Sequence, residues 1–449
     1  MGARPAAEPA GTASGGEAGS PAPPEALYVH VPFCLSLCPY CDFVVYAGAA
    51  ARGPKSRVGT FLAALAVELD LRADALDAAF GPPAGHGTRP PAEHGTTAGG
   101  RAPSTKRVAA GRPPLGSLYI GGGTPSLLVA DAVAAIVSQV RARYGLADDA
   151  EVTLEANPGP DDRGDLAGFA GAGVTRVSFG AQSLDPAELR AVGRRHAPED
   201  VTDAVVAARQ AGIGTVNLDL LYDLPGQRVA TFARTLDMAL DLGPDHVSLY
   251  ALTLDDPDAE GLTGPGGDHL PTTPGARRWR ERARRGQDED GAAACYAYAD
   301  GRLAEAGMVW YEISNWALPG AESRHNLAYW RRRPYEAVGP GAHAFDGVTR
   351  RWNAARLDTW LGALLPSGGA PSSLPPAGSE RLDAGTAATE ALVLGLRLAE
   401  GVPRRDMVAH PDGLAWAAAS GLVEEAPGDR VRLTLRGRLL SNELLARLV

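Results

Sequence analysis

The chain has 449 residues, a net charge of −10 at pH 7 and a hydrophobic fraction of 45%. These values predict a globular protein of two or three domains. The acidic balance argues against a nucleic-acid partner, because phosphate recognition leaves a basic surface. No run approaches the ~18 apolar residues of a transmembrane segment, and residues 1–26 lack the apolar core of a secretory signal. We therefore expect a cytoplasmic protein.

The N-terminal third alternates low-complexity stretches with apolar patterns. Residues 1–26 are rich in Pro, Ala and Gly and predict a disordered tail, because they cannot bury enough apolar surface to offset chain entropy. Residues 27–31 form a short apolar run, and residues 57–80 carry apolar side chains at helical spacing. A Gly- and Pro-rich stretch at about 81–114 predicts a flexible insertion.

From residue 115 onward, strand-like runs alternate with helical segments. The predicted strands are 115–123, 151–158, 176–183, 215–227 and 246–253, and the predicted helices are 130–144, 163–172, 199–211 and 229–241. With the run at 27–31, the alternation occurs about six times and predicts βαβ units with a parallel sheet. Six units in series predict an α/β fold, a full or partial β/α barrel over residues 27–255.

The pattern changes after the predicted barrel. Residues 256–290 form a second, mixed-charge insertion, and another break lies near 366–379. We expect residues 291–365 to pack on the barrel. Residues 380–449 contain a helix at 388–402 and then a helix, hairpin, helix pattern over 414–449, which predicts a small α+β winged-helix-like C-terminal domain.

Polar residues follow the predicted strands where the chemistry of a β/α barrel lies, at the carboxyl ends. Capping of strands and initiation of turns would explain any one of them equally well. Six strand ends with the same feature favour a site. The residues are 121–124, Glu155, Asn157, Gln182, Ser183, Asp219, Asp223, Tyr250 and Thr253.

Three of the four cysteines, Cys34, Cys38 and Cys41, lie within "CLSLCPYC". A structural zinc site normally takes four protein ligands in two pairs, and thioredoxin-like chemistry needs only two thiols. Packing is a third alternative. Three thiolates in one loop favour a [4Fe–4S] cluster with one iron open to an exogenous chelate. Cys295 lies in a helical pattern and is expected in the core.

The segment "YVHVPFCLSLCPYCDF" (28–43) resembles the radical S-adenosylmethionine (SAM) signature, and "YIGGGTPS" (119–126) resembles the stretch that holds the SAM amino group. Together with "LEANP", "VSFGAQS", "GRRH" and "DLLYDLPGQ", these motifs are similar to the oxygen-independent coproporphyrinogen III oxidase family. The resemblance runs from about residue 27 to the C-terminus, insertions apart. It implies a partial (β/α)6 radical SAM barrel.

The resemblance also implies the cofactors. The three cysteines would hold three irons, and the amino and carboxylate groups of SAM would chelate the fourth. Glu155 and Asp219 would accept hydrogen bonds from ribose hydroxyls or the ammonium, and Arg194, with Arg195 as the alternative, would pair with a carboxylate. The implied SAM-binding residues are Tyr28, Tyr40, Gly122, Gly123, Thr124, Glu155, Gln182, Arg194, Asp219 and Thr253.

Two features depart from the oxidases. They carry a fourth cysteine two positions after the third, where this chain has Phe43. In addition, "RHNLAYW" (324–330) resembles the H-N-x-x-Y-W motif of the HemW subfamily of haem chaperones. The resemblance implies haem binding by His325, Asn326, Tyr329 and Trp330, and transfer of haem to an acceptor protein. The alternatives are a radical SAM coproporphyrinogen III dehydrogenase of porphyrin biosynthesis and a purely structural iron–sulfur protein.

The residue chemistry supports a haem site independently. Imidazole is a common axial ligand of haem iron, and flat aromatic rings could cover a porphyrin face. Arginine binds carboxylates in a bidentate manner, so residues 331–333 with Arg350 and Arg351 are expected to receive the propionates. His343, near glycines, is a weaker candidate for the same cavity, as is His196. The sequence does not identify the haem acceptor, for which a respiratory protein is one candidate. A homodimer is one candidate assembly of the chain.

Overall fold

The computed structural model describes residues 19–84, 111–263, 267–375, 377–407 and 411–448. Residues 1–18 of the predicted tail and 85–110 of the predicted insertion lie outside the described residues. The strands are β1 (Ala26–Val31), β2 (Phe33–Cys34), β3 (Tyr46–Ala47), β4 (Leu115–Gly122), β5 (Leu146–Ala156), β6 (Arg176–Gln182), β7 (Thr215–Tyr222), β8 (His246–Ala251), β9 (Val309–Glu312), β10 (Asn315–Ala317), β11 (Tyr335–Val338), β12 (His343–Phe345), β13 (Thr349–Asn353), β14 (Ala377–Arg381), β15 (Val402–Pro403), β16 (Val423–Ala426) and β17 (Arg430–Leu433).

Fourteen α-helices accompany these strands in the described residues. They are α1 (Val58–Phe80), α2 (Ala130–Tyr144), α3 (Leu166–Gly171), α4 (Pro186–Ala191), α5 (Pro198–Gln210), α6 (Val229–Asp241), α7 (Pro274–Ala283), α8 (Glu289–Glu305), α9 (Arg324–Trp330), α10 (Leu357–Leu364), α11 (Ala384–Leu396), α12 (Pro411–Ala419), α13 (Leu435–Leu439) and α14 (Ser441–Leu448).

The central sheet confirms the predicted α/β class and partial barrel. Strands β1, β4, β5, β6, β7 and β8 are hydrogen-bonded in that order, and each neighbouring pair is parallel. At one edge β11 pairs in parallel with β1, and at the other β10 pairs antiparallel with β8. The carboxyl ends of the six parallel strands therefore open toward one end of the barrel.

Helices cover the sheet because each presents an apolar face to it. In α1, Phe61, Leu65 and Leu69 recur every four residues and are fully buried, which places them on one side of the helix. They belong to a single core cluster with strand residues such as Val29 and Leu118. This packing anchors the strands whose ends form the site.

The C-terminal residues form a module of their own, defined here as residues 384–407 and 411–448. Helices α11 to α14 pack around the sheet β15-β17-β16 with a separate core that includes Leu396, Met407 and Leu444. Arg438 joins the module to the barrel through an ion pair with Asp300 at 2.7 Å. The predicted helix, hairpin, helix pattern is present as α12, β16, β17 and the two last helices. The exact domain boundaries stay predictions.

The predicted insertion at 256–290 differs from the structure, because it contains α7 and the start of α8. Its mixed charge predicted a second flexible insertion. In fact α7 buries Ala276, Arg280 and Ala283 on one face and lies against the cysteine loop. This buried face supplies one cation, Arg280, to carbonyl oxygens of the cysteine loop. Smaller differences include α4, which was not predicted, and β5, which starts earlier than predicted. In addition, β7 ends at Tyr222 and α11 at Leu396, before the predicted ends at 227 and 402.

Candidate functional site

A cavity of about 890 Å³ lies at the carboxyl ends of the barrel strands, a volume within the range of small-molecule sites. The loop after β1 forms one wall, the ends of β4 to β8 form others, and Arg397, Ser441 and Asn442 of the C-terminal module also line the cavity. The structure brings together here the three clustered cysteines and every predicted SAM residue except Tyr28. On the wall are Cys34, Cys38, Cys41, Tyr40, Gly122, Gly123, Thr124, Glu155, Gln182, Arg194, Asp219 and Thr253.

The three cysteines are free thiols, each half-buried in the cavity wall. The Sγ of Cys34 lies 3.1 Å from Thr124 Oγ1, and Arg194 Nη1 donates to Cys38 Sγ at 3.6 Å. Burial raises the pKa of Cys34 to about 11 and also raises that of Cys41. Over the described ranges, no three His, Cys, Asp or Glu side chains are already arranged as a metal-ligand set.

The donor set fits an iron–sulfur cluster chemically. Three soft sulfur ligands from one loop match the thiolate ligation of such clusters, and Arg194 supplies a positive charge beside them. Since the raised pKa values keep the Cys34 and Cys41 thiols protonated near neutral pH, binding of iron there must release protons. Phe43, where the oxidases have their fourth cysteine, also lines the cavity and is 62% exposed.

Two glycines allow the backbone at the end of β4 to approach β1 and β2 closely. Gly122 has a φ of +110°, and a Cβ atom there would collide with the His30 ring. A Cβ atom on Gly123 would lie 2.7 Å from the Phe33 carbonyl oxygen. Only glycine fits both constraints. The "GGG" segment is therefore shaped by close packing against the start of the cysteine loop.

Glu155 and Asp219 are half-buried carboxyl groups on the cavity wall. Glu155 accepts from Tyr119 Oη at 2.7 Å and from the Gly122 backbone N–H at 2.8 Å. Asp219 accepts from Ser178 Oγ and Asn217 Nδ2, both at 2.8 Å. Burial raises the pKa of both, that of Glu155 to about 7. They provide the carboxylate acceptors that a polar cofactor needs.

The geometry distinguishes the two neighbouring arginines. Arg194 donates to Asn157 Oδ1 at 2.5 Å and to the Gly180 carbonyl at 2.7 Å. Arg195 also lines the cavity, but its half-exposed side chain pairs with Asp161 at 3.6 Å. Arg194 is thus the better-held cation beside the cysteines. Asn157, a strand-end residue in the sequence, orients it.

Tyr28 lies below the large cavity, inside the barrel. Its hydroxyl is 2.9 Å from His30 Nδ1, and its ring centroid is 6.1 Å from that of Tyr119. Burial raises its pKa. Its position is that of a support for Tyr119 and His30, rather than of a residue on the cavity wall.

His325 lies in helix α9 and is almost completely buried. Its Nδ1 is 3.0 Å from Ser117 Oγ, and its Nε2 is 2.7 Å from Tyr329 Oη. The ring also lies between Tyr119 and Tyr329, with centroids 5.0 and 4.8 Å away. Burial lowers its pKa to about 3, so the imidazole is neutral, and both nitrogens already have partners.

The rest of the motif lines a second cavity of about 310 Å³, called here the small cavity. Trp330 Nε1 is buried and has no hydrogen-bond partner among the residues that the structure describes. His325 is not on the wall of the small cavity, and neither is His343, which bonds Asp268 at 2.9 Å. His196 lines the large cavity instead. The small-cavity wall consists of Asn326, Tyr329, Trp330, Arg332, Tyr335, Phe345, Arg350, Glu390 and Leu394.

The predicted basic patch is neutralised in the structure. Each arginine has a glutamate partner: Arg331 with Glu400, Arg332 and Arg350 with Glu390, Arg333 with Glu25, and Arg351 with Glu336. These glutamates are distant in sequence, so the run of arginines alone did not predict the ion pairs. Only Arg332 and Arg350 line the small cavity, and a propionate there would compete with Glu390. Cys295 is in the core, as expected.

Comparison with known proteins identifies the family. The radical SAM superfamily matches residues 105–239. A protein named heme chaperone HemW from Mycobacterium tuberculosis is 37% identical over 434 residues, covering 97% of both chains. The chain belongs to the HemW family of radical SAM proteins. Escherichia coli HemW is 31% identical over 94% of this chain and 97% of its own length.

A mitochondrial relative from Bos taurus, radical S-adenosyl methionine domain-containing protein 1, is 35% identical over 85% of this chain and 76% of its own. Among solved structures, coproporphyrinogen III oxidase from Escherichia coli covers 96% of this chain with a TM-score of 0.71 and 20% identity. That likeness confirms the barrel with its C-terminal domain. Membership of the superfamily implies SAM and a [4Fe–4S] cluster. None of the described helices is long and apolar enough to cross a membrane.

Proposed function

We propose that this protein is a haem chaperone, which binds haem beside a SAM-ligated [4Fe–4S] cluster and passes the haem to an acceptor protein. The observation that carries the proposal is the position of α9. This helix places Asn326, Tyr329 and Trp330 on one cavity wall together with Arg332 and Arg350. Aromatic faces suit a porphyrin ring, and the two guanidinium groups could bind its propionates in place of Glu390. The names of the full-length relatives support the same function.

The large cavity supports the cofactor half of the proposal. Cys34, Cys38 and Cys41 would hold the cluster, and when bound it would supply one-electron chemistry. Glu155 and Asp219 would accept hydrogen bonds from SAM, and Arg194 would pair with its carboxylate. The glycines of β4 would let the backbone contact the ligand.

Iron ligation by His325 requires a local change. Its Nε2 is 2.7 Å from the Tyr329 hydroxyl, so that hydrogen bond must break before the nitrogen can bind iron. A Tyr329→Phe variant keeps the ring and removes the competing hydroxyl. If His325 is the axial ligand, this variant should bind haem more tightly than the wild type, and His325→Ala should bind it more weakly.

The test is an anaerobic haem titration of cluster-reconstituted protein, followed in the Soret region. We expect stoichiometric binding by the wild type and a loss of about tenfold or more for His325→Ala, equivalent to about 1.4 kcal/mol. His343→Ala is the matched control, since His343 is half-exposed and off the small cavity. Circular dichroism checks that each variant folds.

The outcomes separate the two levels of the proposal. Absence of specific haem binding by the wild type contradicts the chaperone function, and coproporphyrinogen III then becomes the next substrate to assay. Binding that is unaffected in a folded His325→Ala variant leaves the chaperone function standing and rejects His325 as the ligand.

A further inference from the structure

Arg397 lies between the two cavities and belongs to neither predicted ligand set. It follows α11 in the C-terminal module, and its side chain lines the large cavity. Its guanidinium carbon is 5.8 Å from the ring centroid of Trp330, which lines the small cavity. One residue of the C-terminal module therefore contacts both the haem motif and the predicted cofactor site.

The guanidinium of Arg397 has no ion-pair or hydrogen-bond partner among the described residues, and its Nε is buried and unsatisfied. This contrasts with the arginines around it. Arg331 forms a bidentate pair with Glu400, and Arg332 and Arg350 share Glu390. Partial burial of a cation without an anion costs free energy. An anionic ligand at this position could therefore form the ion pair that no protein group forms with Arg397.

Glu312 does not serve as that anion. It influences the pKa of Arg397, which burial lowers and Glu312 raises. However, its oxygens accept from the Ser314 backbone N–H and from Asn326 Nδ2, both at 3.1 Å, and from Asn315. Glu312 is thus engaged in holding the motif residue Asn326, beyond ion-pair distance of Arg397.

The surroundings of Arg397 suit an anion. Four other residues, which are distant in sequence from the loop after β1, line the same cavity: Ile313, Ser314, Ser441 and Asn442. Ser441 and Asn442 are the first residues of α14, and the N–H groups and dipole of a helix N-terminus favour negative charge. The wall that the C-terminal module contributes therefore combines a cation with polar donors.

We propose that Arg397 is the carboxylate-binding residue of a subsite at the C-terminal-module wall of the large cavity, distinct from Arg194 beside the cysteines. The proposal deepens and rests on the proposed function. Two carboxylates have the required chemistry. One is a propionate of the porphyrin that Trp330 would contact, and the other is the carboxylate of SAM or of methionine, which would then pair with Arg397 instead of Arg194.

The experiment compares wild type with Arg397→Gln and Arg397→Lys in paired titrations of the cluster-reconstituted protein. One pair is haem and haem dimethyl ester, which lacks free propionates. The other is SAM and decarboxylated SAM. Arg404→Gln is the matched control, since Arg404 lies in the same module and pairs on the surface with Glu425 and Asp429.

For the ligand whose carboxylate Arg397 binds, we expect Arg397→Gln to weaken affinity by about 10- to 100-fold, with Arg397→Lys intermediate. The ester or decarboxylated analogue should bind wild type and variant equally. A loss confined to the haem pair assigns the subsite to a propionate, and a loss confined to the SAM pair assigns it to the amino-acid carboxylate.

Equal affinities of wild type and Arg397→Gln in both pairs overturn the inference, as does a loss of the same size for the analogues. If the wild type binds no haem, the chaperone function fails, while the SAM pair still decides whether Arg397 binds a carboxylate. Circular dichroism and the iron content of each variant verify that fold and cluster are intact.

Discussion

At the scale of single residues, burial controls the acid–base chemistry of the large cavity. Glu155 is enclosed in the barrel end, and loss of water raises its pKa to about 7 despite the hydrogen bonds from Tyr119 and Gly122. The usual value of a glutamate is near 4.3. Glu155 therefore changes charge close to neutral pH, in contrast to a surface glutamate.

This shift predicts a pH dependence of SAM binding. Below the raised pKa the carboxyl group is protonated and loses its charge. Above that pKa the carboxylate can accept hydrogen bonds from the amino group or the ribose of SAM. Affinity should therefore rise about tenfold from pH 6 to pH 8, measured by anaerobic calorimetry. Glu155→Gln should bind with a flatter profile, which contains only the titration of the ligand's amino group and of other residues. Identical profiles for the two proteins would contradict the role of Glu155.

The residues that were predictable from the sequence are those whose signal is local. Cys34, Cys38 and Cys41 fall within one loop, and Gly122 and Gly123 adjoin a strand end. Arg397 has no such signal, because its position depends on a module folded from the last part of the chain. Tyr28 looks like a site residue in sequence, yet strand alternation places it in the barrel interior, against His30.

At the scale of secondary-structure elements, α7 packs against the cysteine loop and stabilises it through hydrogen bonds. The guanidinium of Arg280 is 3% exposed and donates to the carbonyl oxygens of Pro39 at 3.2 Å and of Cys41 at 3.0 Å, and also to that of Asp255. Trp279 lies beside Tyr40, with ring centroids 6.4 Å apart. Two carbonyls within the cysteine loop are thereby fixed by one buried cation.

We expect Arg280→Met to loosen this loop, since the carbonyls lose charged donors worth roughly 2 kcal/mol. The measurements are iron content per chain after anaerobic reconstitution and the electron paramagnetic resonance signal of the reduced cluster, and both should fall. Arg277→Met is the control: Arg277 is on the same helix but is more exposed and pairs with Asp256 and Asp258. Equal iron retention in the two variants would show that α7 does not position the loop.

Element prediction succeeded where periodicity and burial agree, as in α1 and the six parallel strands. It missed the role of α7, because "ARRWRERARR" has the composition of a solvated segment. Only the tertiary structure shows that Arg280 is turned inward while its neighbours are not. Likewise, only the tertiary structure shows the ion pairs of residues 331–333, because their glutamate partners lie in elements distant in sequence.

At the scale of the whole molecule, the C-terminal module completes the large cavity. Ser441, Asn442 and Arg397 line it from the module side, and the cysteine loop lines it from the barrel side. The sequence predicts a barrel and a separate small domain, but it carries no signal for a cavity shared between them. Such a cavity depends on how the two parts dock, and that contact is long-range.

The docking contact centres on Arg438. Its two terminal nitrogens donate to the two carboxylate oxygens of Asp300 at 2.7 Å each, and its guanidinium carbon lies 4.2 Å from the Trp310 ring centroid. The side chain is 7% exposed and that of Asp300 22%. Removing one partner of such a pair leaves the other charge poorly solvated, and therefore costs more than removing both.

We therefore expect Arg438→Met to destabilise the protein by about 3 kcal/mol and to separate the unfolding of the C-terminal module from that of the barrel in calorimetry. The double variant Arg438→Met with Asp300→Leu should recover part of this loss, because no unpaired carboxylate remains at the contact.

The control is Arg432→Met, which removes a half-exposed pair with Glu424 and should cost less than about 1 kcal/mol. Because Ser441 and Asn442 begin α14, which is separated from α13 by one residue, loss of docking should also weaken ligand binding in the large cavity. A single unshifted transition in Arg438→Met, with unchanged affinity, would mean that this contact does not hold the cavity together.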